Sequence, residues 1–127
     1  MVEIRLRARC HPTESREKVV QAILNLFPDA TVSGEDPVFA VSHSLEQFGE
    51  VLKRQKIRDA ARRVLRRGIE GATTTFRVNK QVATVGKVSF SEEAHPLGDI
   101  EVQIISDDIE RTIDGIAPDT RTEAGRR

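Results

Sequence analysis

Tryptophan and tyrosine are absent from the 127 residues, cysteine occurs once, and phenylalanine supplies the only five aromatic rings. With Cys10 alone, neither an intramolecular disulfide framework nor a cysteine-rich zinc site can be built. So few rings also mean that any nucleic-acid surface would lean on charge and shape more than on base stacking, which needs aromatic platforms. No apolar run approaches the roughly 18 residues of a membrane span, and Met1-Val2-Glu3-Ile4-Arg5 lacks the shape of a signal peptide. The expectation is a cytoplasmic protein without membrane contact. Net charge is lacking too: 20 Lys and Arg balance 20 Asp and Glu, which argues against a generic polycation.

The balance conceals a segregation. Between Lys53 and Arg67 stand eight cations (Lys53, Arg54, Lys56, Arg58, Arg62, Arg63, Arg66, Arg67) against the single acid Asp59, a local charge of +7. From Glu92 to Asp114 eight acids stand against Arg111 alone, a local charge of −7. Opposite charges sorted into separate segments set up a directional field that can steer a partner even when the total is zero.

Hydrophobic content of 38% with 31% charged residues fits one globular domain. Residues 1–118 read as that domain and 119–127 as a polar, disordered tail. Val2, Ile4, Leu6, Ala8 and Cys10 alternate with Glu3, Arg5, Arg7 and Arg9, the period of a strand with one buried and one wet face. Thr13 is placed to cap a helix carrying Val19, Val20, Ile23, Leu24 and Phe27. Two short strands, 30–33 and 38–41, flank the turn Gly34-Glu35-Asp36-Pro37. Ser44 and Gln47 have the spacing of a capping box for the long basic helix. In that helix Leu45, Phe48 and Leu52 share one stripe, while Ile57, Ala60, Ala61, Val64 and Leu65 share another. The stripes point well over 90° apart at about 100° per residue, so one straight helix cannot bury both, and a break is predicted between Lys53 and Lys56. Strands are predicted at 73–78, 82–90 and 99–105, with a turn at Asn79-Lys80-Gln81, an acidic loop from Ser91 to Pro96, and a last short helix carrying Ile109, Ile113 and Ile116. The fold class that follows is α+β: a two-layer sandwich, mostly antiparallel sheet with helices on one face.

Chemistry has few footholds. His11, His43 and His95 are scattered, none in metal-ligand spacing with Cys10 or a carboxylate. Ser42-His43-Ser44 sets a histidine among hydroxyls, but adjacency in sequence is not triad geometry. No glycine loop opens a helix to cradle phosphate. The acidic segment, with Glu92, Glu93 and Asp99, is a place for a divalent cation, although its spacing is not that of a calcium loop. Arginine predominates in the basic helix, and its planar fork suits phosphate. The same helix also reads as a solvated face neutralised by acids elsewhere. Arg5, Arg7 and Arg9 form a second basic row, for which ion pairing with acids on neighbouring strands, Glu101 foremost, is the expected use.

Three stretches, taken together, resemble a known family. They are Leu52-Lys53-Arg54-Gln55-Lys56-Ile57-Arg58-Asp59-Ala60-Ala61-Arg62 with Arg67-Gly68-Ile69, then Asn79-Lys80-Gln81-Val82-Ala83 with Gly86-Lys87-Val88-Ser89-Phe90, then Pro96-Leu97-Gly98. They are similar to the archaeal family of conserved uncharacterised proteins described as predicted RNA-binding proteins. That family has been suggested to be linked to the exosome, and its fold is compared with the ribosomal protein that binds five-S ribosomal RNA. The resemblance implies a two-layer α+β domain, no catalytic activity, and RNA as ligand; no cofactor is expected. Asp99 and Gly115 depart from the family pattern. The reading is a non-enzymatic RNA-binding protein contacting phosphates of structured RNA through Lys53, Arg54, Lys56, Arg58, Arg62, Arg63, Arg66 and Arg67, joined by Lys80 and Lys87. The alternative is a protein-interaction subunit whose basic helix docks an acidic surface, a homodimer included. A metal-dependent phosphoester enzyme using the acidic loop is the third.

Overall fold

The alternating segment at the start of the chain becomes β1 (Val2–Ala8), followed by α1 (Arg16–Leu26), β2 (Thr31–Ser33), β3 (Val38–Ser42), α2 (Glu46–Arg54), α3 (Arg58–Arg67), β4 (Ile69–Glu70), β5 (Thr73–Asn79), α4 (Lys80–Thr84), β6 (Asp99–Ser106) and α5 (Ile109–Ile116). The computed structural model describes residues 1–93 and 98–119; the end of the expected acidic loop at Pro96, and residues 120–127 of the expected tail, lie outside them. The strands form one antiparallel sheet in the order β2-β3-β1-β6-β5-β4.

The period of two sorts the sheet's faces. Ile4, Leu6 and Ala8 of β1 are buried, as are Thr74, Phe76 and Val78 of β5 and Ile100, Val102 and Ile104 of β6. Cross-strand register lines them up: Leu6 opposes Ala40 on one side and Val102 on the other, and Val102 opposes Phe76. The helices cover this face with Val19, Ile23, Phe48, Leu52, Leu65 and Ile113, all buried. The fold is therefore the α+β sandwich expected. Four of the five phenylalanines run through its core as a row, Phe27 on Phe48, Phe48 on Phe76 and Phe76 on Phe90, with ring centroids 5.4, 5.7 and 5.8 Å apart.

On the open face, Arg5 stands beside Gln103 and Arg7 beside Glu101, the neighbours expected. The ion pairs formed are different. Arg5 binds Glu3 of its own strand at 2.6 Å, and Arg9 binds Asp36 of the β2–β3 turn at 2.8 Å. The Cys10 backbone N–H also donates to Asp36, at 3.1 Å. The Arg9 hydrogen bonds, then that backbone donor, hold the Asp36 carboxyl down from 3.8 to about 2. A carboxyl lowered by folding stabilises the fold above its unfolded pKa, and that stabilisation is lost as the pH falls through the folded value. Asp36→Asn is therefore expected to lower the melting temperature at pH 7, with the gap to wild type closing between pH 4 and 2. A gap independent of pH would show that the carboxylate charge is not what the turn uses.

Four local expectations are corrected. Ser15, not Thr13, precedes the first helix, because the Thr13 N–H and hydroxyl are both engaged by the His11 ring. Ser44 and Gln47 form no capping box: Leu45 holds the cap position of α2, and Ser44 Oγ accepts only from the Glu46 N–H. Residues 82–90 are not a strand. Asn79 Oδ1 accepts the Val82 N–H at 2.9 Å and starts α4, Gly86 turns the chain at φ +75°, and Phe90 alone bridges back to Val78. Finally, Ile69–Glu70 pairs with β5 as an additional strand, through a turn in which Gly71 adopts φ +63°.

Candidate nucleic-acid interface

The expected break in the basic helix is present, and it decides where each cation goes. α2 buries Phe48, Val51 and Leu52, and α3 buries Ala61 and Leu65. Between them Lys56 takes a left-handed backbone at φ 59°, which redirects the chain so that both stripes reach the core. Gln55 locks the junction: its Nε2 donates to the Val88 carbonyl at 2.9 Å and its Oε1 accepts the Val88 N–H at 2.7 Å. One side chain thus stands in for a strand partner and holds the 87–90 segment against the start of α3.

α3 then presents four of its five cations in two stripes. Arg62 binds Asp114 at 2.5 Å and the Ala117 carbonyl at 3.2 Å; one turn on, Arg66 binds Glu110 at 3.1 Å. The partners step backward along α5 as α3 steps forward, so the helices run antiparallel with an ionic ladder between them. The +7 and −7 segments therefore meet inside one chain. Other members of the acidic segment are also engaged, Asp108 capping α5 through the Arg111 N–H and Asp99 accepting from Ser91. The second stripe is Arg63 and Arg67, one turn apart, both exposed, and in no ion pair among the described residues.

That second stripe borders a groove of about 370 Å³ whose lining also includes Ile57, Ala60, Val64, Val88, Ser89, Phe90 and the acid Glu92. Lys56 and Lys87 flank this lining in sequence and are exposed. Lys53 and Arg58 go elsewhere, to a separate recess against Gly115 and Ile116 at the end of α5, shared with Glu46 and Glu50. Arg54 is exposed at the end of α2. The eight expected cations thus form four settings, not one patch: Arg62 and Arg66 on the ladder, Arg63 and Arg67 with Lys56 by the groove, Lys53 and Arg58 at the recess, and Arg54 apart.

Lys80 leaves the surface altogether. Its side chain is 3% exposed, and its Nζ donates to Glu14 at 2.9 Å and to the Arg9 carbonyl at 2.7 Å. Burial raises the Glu14 carboxyl, but hydrogen bonds from Lys80 and the His11 backbone N–H, together with the charge of the Lys80 ammonium, outweigh it and hold the group below its ordinary value. Lys80 is a core cation that ties α4 to the β1–α1 connection. Asn79, from the same motif, is a helix cap.

The candidates for chemistry separate. Ser42 donates to Asp29 while the His43 ring faces the Val2 carbonyl at 3.1 Å, so hydroxyl and imidazole do not form a nucleophile–base pair. Among the described residues no three His, Cys, Asp or Glu side chains gather as a metal site, and no helix is long and apolar enough to cross a membrane; His95 lies outside them. What the sequence reading missed is the groove's apolar floor: Ile57, Ala60 and Val64 belong to the α3 stripe, but the half-exposed Phe90 reaches them only through the Gln55 lock.

A family model described as RNA binding matches residues 3–106. A UPF0200/UPF0201 protein of Archaeoglobus fulgidus is 42% identical over 94% of this chain, which spans only 38% of that relative's length. A UPF0201 protein of Metallosphaera sedula is 38% identical, with 99% of this chain and 93% of the relative aligned. The crystal structure of a UPF0201 protein from Methanococcus jannaschii superposes with a TM-score of 0.85 at 40% identity, covering 92% of this chain and 93% of that one. None of these relatives carries a name that states a reaction.

Proposed function

We propose that this chain, which belongs to the UPF0201 family and to the RNA-binding family whose model spans most of it, is a non-enzymatic protein that holds the phosphates of structured RNA on the outer stripe of α3. Arg63 and Arg67 are the principal contacts, with Lys56, Arg54 and Lys87 extending them. The observation that carries this is the division of the arginines: α5 neutralises Arg62 and Arg66, while Arg63 and Arg67 are exposed and form no ion pair among the described residues. An exposed guanidinium pair one helical turn apart offers two planar forks to a phosphate backbone, and phosphate contact fixes register without reading sequence. The competing reading, in which a second copy docks its acidic segment on the basic helix, is weakened by the same ladder. Glu110 and Asp114 are already engaged by this chain's own arginines.

The test is a double charge reversal, Arg63→Glu with Arg67→Glu, titrated against an RNA hairpin at several salt concentrations. Affinity is expected to fall at least tenfold, and the slope of log affinity against log salt to shrink by about 0.7 to 0.9 for each phosphate the variant no longer holds. The melting temperature should stay near wild type, since neither arginine gives up an ionic partner. Reversing Arg62 and Arg66 instead should loosen α5 and lower the melting temperature. RNA affinity unchanged by the Arg63 and Arg67 reversal would refute the site.

A further inference from the structure

We propose that the groove between α3 and the Val88–Phe90 segment is a pocket for one unpaired RNA base, an inference that rests on the RNA-binding reading and adds to it a preference for bulged or single-stranded nucleotides. Phosphate contact alone asks nothing of the protein but exposed cations. This groove offers more. Ile57, Ala60, Val64 and Phe90 are half-buried where the fold leaves them open, and together with Val88 they make an apolar floor between two arginines. Its volume, about 370 Å³, falls in the range of roughly 300 to 1,000 Å³ typical of small-ligand sites.

The occupant follows from the charges around that floor. A purely apolar peptide side chain would fill it and leave Arg63 and Arg67 unanswered. A nucleotide answers both: its flat base covers the apolar floor while the phosphates on either side of it reach the guanidinium groups. Phe90 is the outer end of the core's row of rings, held on Phe76 with centroids 5.8 Å apart and planes at 62°, so an aromatic ring lines the groove at no further ordering cost. Gln55 holds this same wall in place through both of its bonds to Val88. Such a site is pre-organised, which is where affinity for a single base comes from. Ser89 and Glu92 supply a hydroxyl and an acceptor along the same lining for polar atoms on a base edge. A duplex cannot offer a base to this groove, because its bases are stacked and paired; a bulge or a single strand can.

The experiment compares binding of the 127-residue chain to two RNA hairpins of one stem sequence, one perfectly paired and one carrying a single-nucleotide bulge, by fluorescence anisotropy. The bulged RNA is expected to bind about tenfold tighter, the effect of one base seated against an apolar and aromatic surface. Ala60→Leu then fills the floor without changing charge, and leucine is a good helix former, so α3 should keep its structure. This variant is expected to bind the bulged hairpin no better than the paired one, with paired-stem affinity and salt slope as in wild type. Equal wild-type affinity for the two hairpins, or a bulge preference that survives Ala60→Leu, would overturn the pocket and leave the phosphate reading standing. Failure of the wild-type protein to bind either hairpin would overturn the RNA reading and the pocket with it. An acidic, phenylalanine-containing peptide that binds wild type more tightly than the bulged RNA and no longer binds Ala60→Leu would overturn RNA as the occupant.

Discussion

Gly68→Ala is expected to destabilise the protein by about 3 kcal/mol, at the upper end of what overpacking costs. A Cβ at Gly68 would lie 2.2 Å from the Thr75 carbonyl oxygen and 3.0 Å from Thr74 Oγ1. The first obstacle is sheet backbone, not the end of a flexible side chain, and Thr75 is fixed opposite Gln103 of β6. The position is tight because α3 docks on β5 just there. Thr74 Oγ1 donates to the Leu65 carbonyl at 2.5 Å, and the Thr75 N–H donates to the Gly68 carbonyl at 3.2 Å. Relief requires the C-terminal turn of α3 to lift, which moves Arg67 and weakens RNA binding as well. Thermal unfolding should show a drop of roughly 10 °C for a domain of this size. Gly71→Ala is the contrast: φ there is +63° but, its chain neighbours aside, no atom of the described residues lies within 4 Å of the added carbon, so only about 1 to 2 kcal/mol of backbone strain is expected. If Gly71→Ala proves the more damaging of the two, the close approach of α3 to β5 is not what Gly68 provides.

The sequence made most of the fold legible wherever the signal was a period. β1 followed from five alternating apolar residues, and the break at Lys56 from two stripes that no straight helix can bury together. It misled where a distant partner decides the conformation. Val82, Val85 and Val88 look like a strand by composition, yet the Asn79 side chain caps a helix there, and Asn25 of α1 donates to the Ala83 and Thr84 carbonyls at that helix's end. β propensity is weak against such contacts. The site divides the same way. That the second half of the long helix carries arginines opposite an apolar stripe is plain in the sequence. That Arg62 is neutralised and Arg63 is not depends on Asp114, 52 residues away in sequence. No local pattern carries that information.

Lys80 is the sharpest case, and its substitution should separate stability from binding. Lys80→Ala is expected to cost about 3 kcal/mol, the lower end for removing one partner of a buried pair. The change leaves the Arg9 carbonyl and a partly buried Glu14 without their shared donor. Lys80→Met keeps most of the stem's packing and should cost less, isolating the ammonium's share. Glu14 sets the pH dependence. Its carboxyl is raised by burial but lowered on balance by its donors, so its stabilisation is present above the ordinary carboxylate range and lost as the pH falls through the depressed value. The gap between wild type and Lys80→Met in urea unfolding should accordingly be widest near pH 7 and narrow below pH 4. RNA affinity, measured well below the melting transition of the variant, should stay within about twofold of wild type, because an ammonium 3% exposed reaches no phosphate. A tenfold drop in RNA affinity in a folded Lys80→Met protein, with the pH-dependent gap absent, would return Lys80 to the RNA surface and show that the Glu14 contact gives way to ligand.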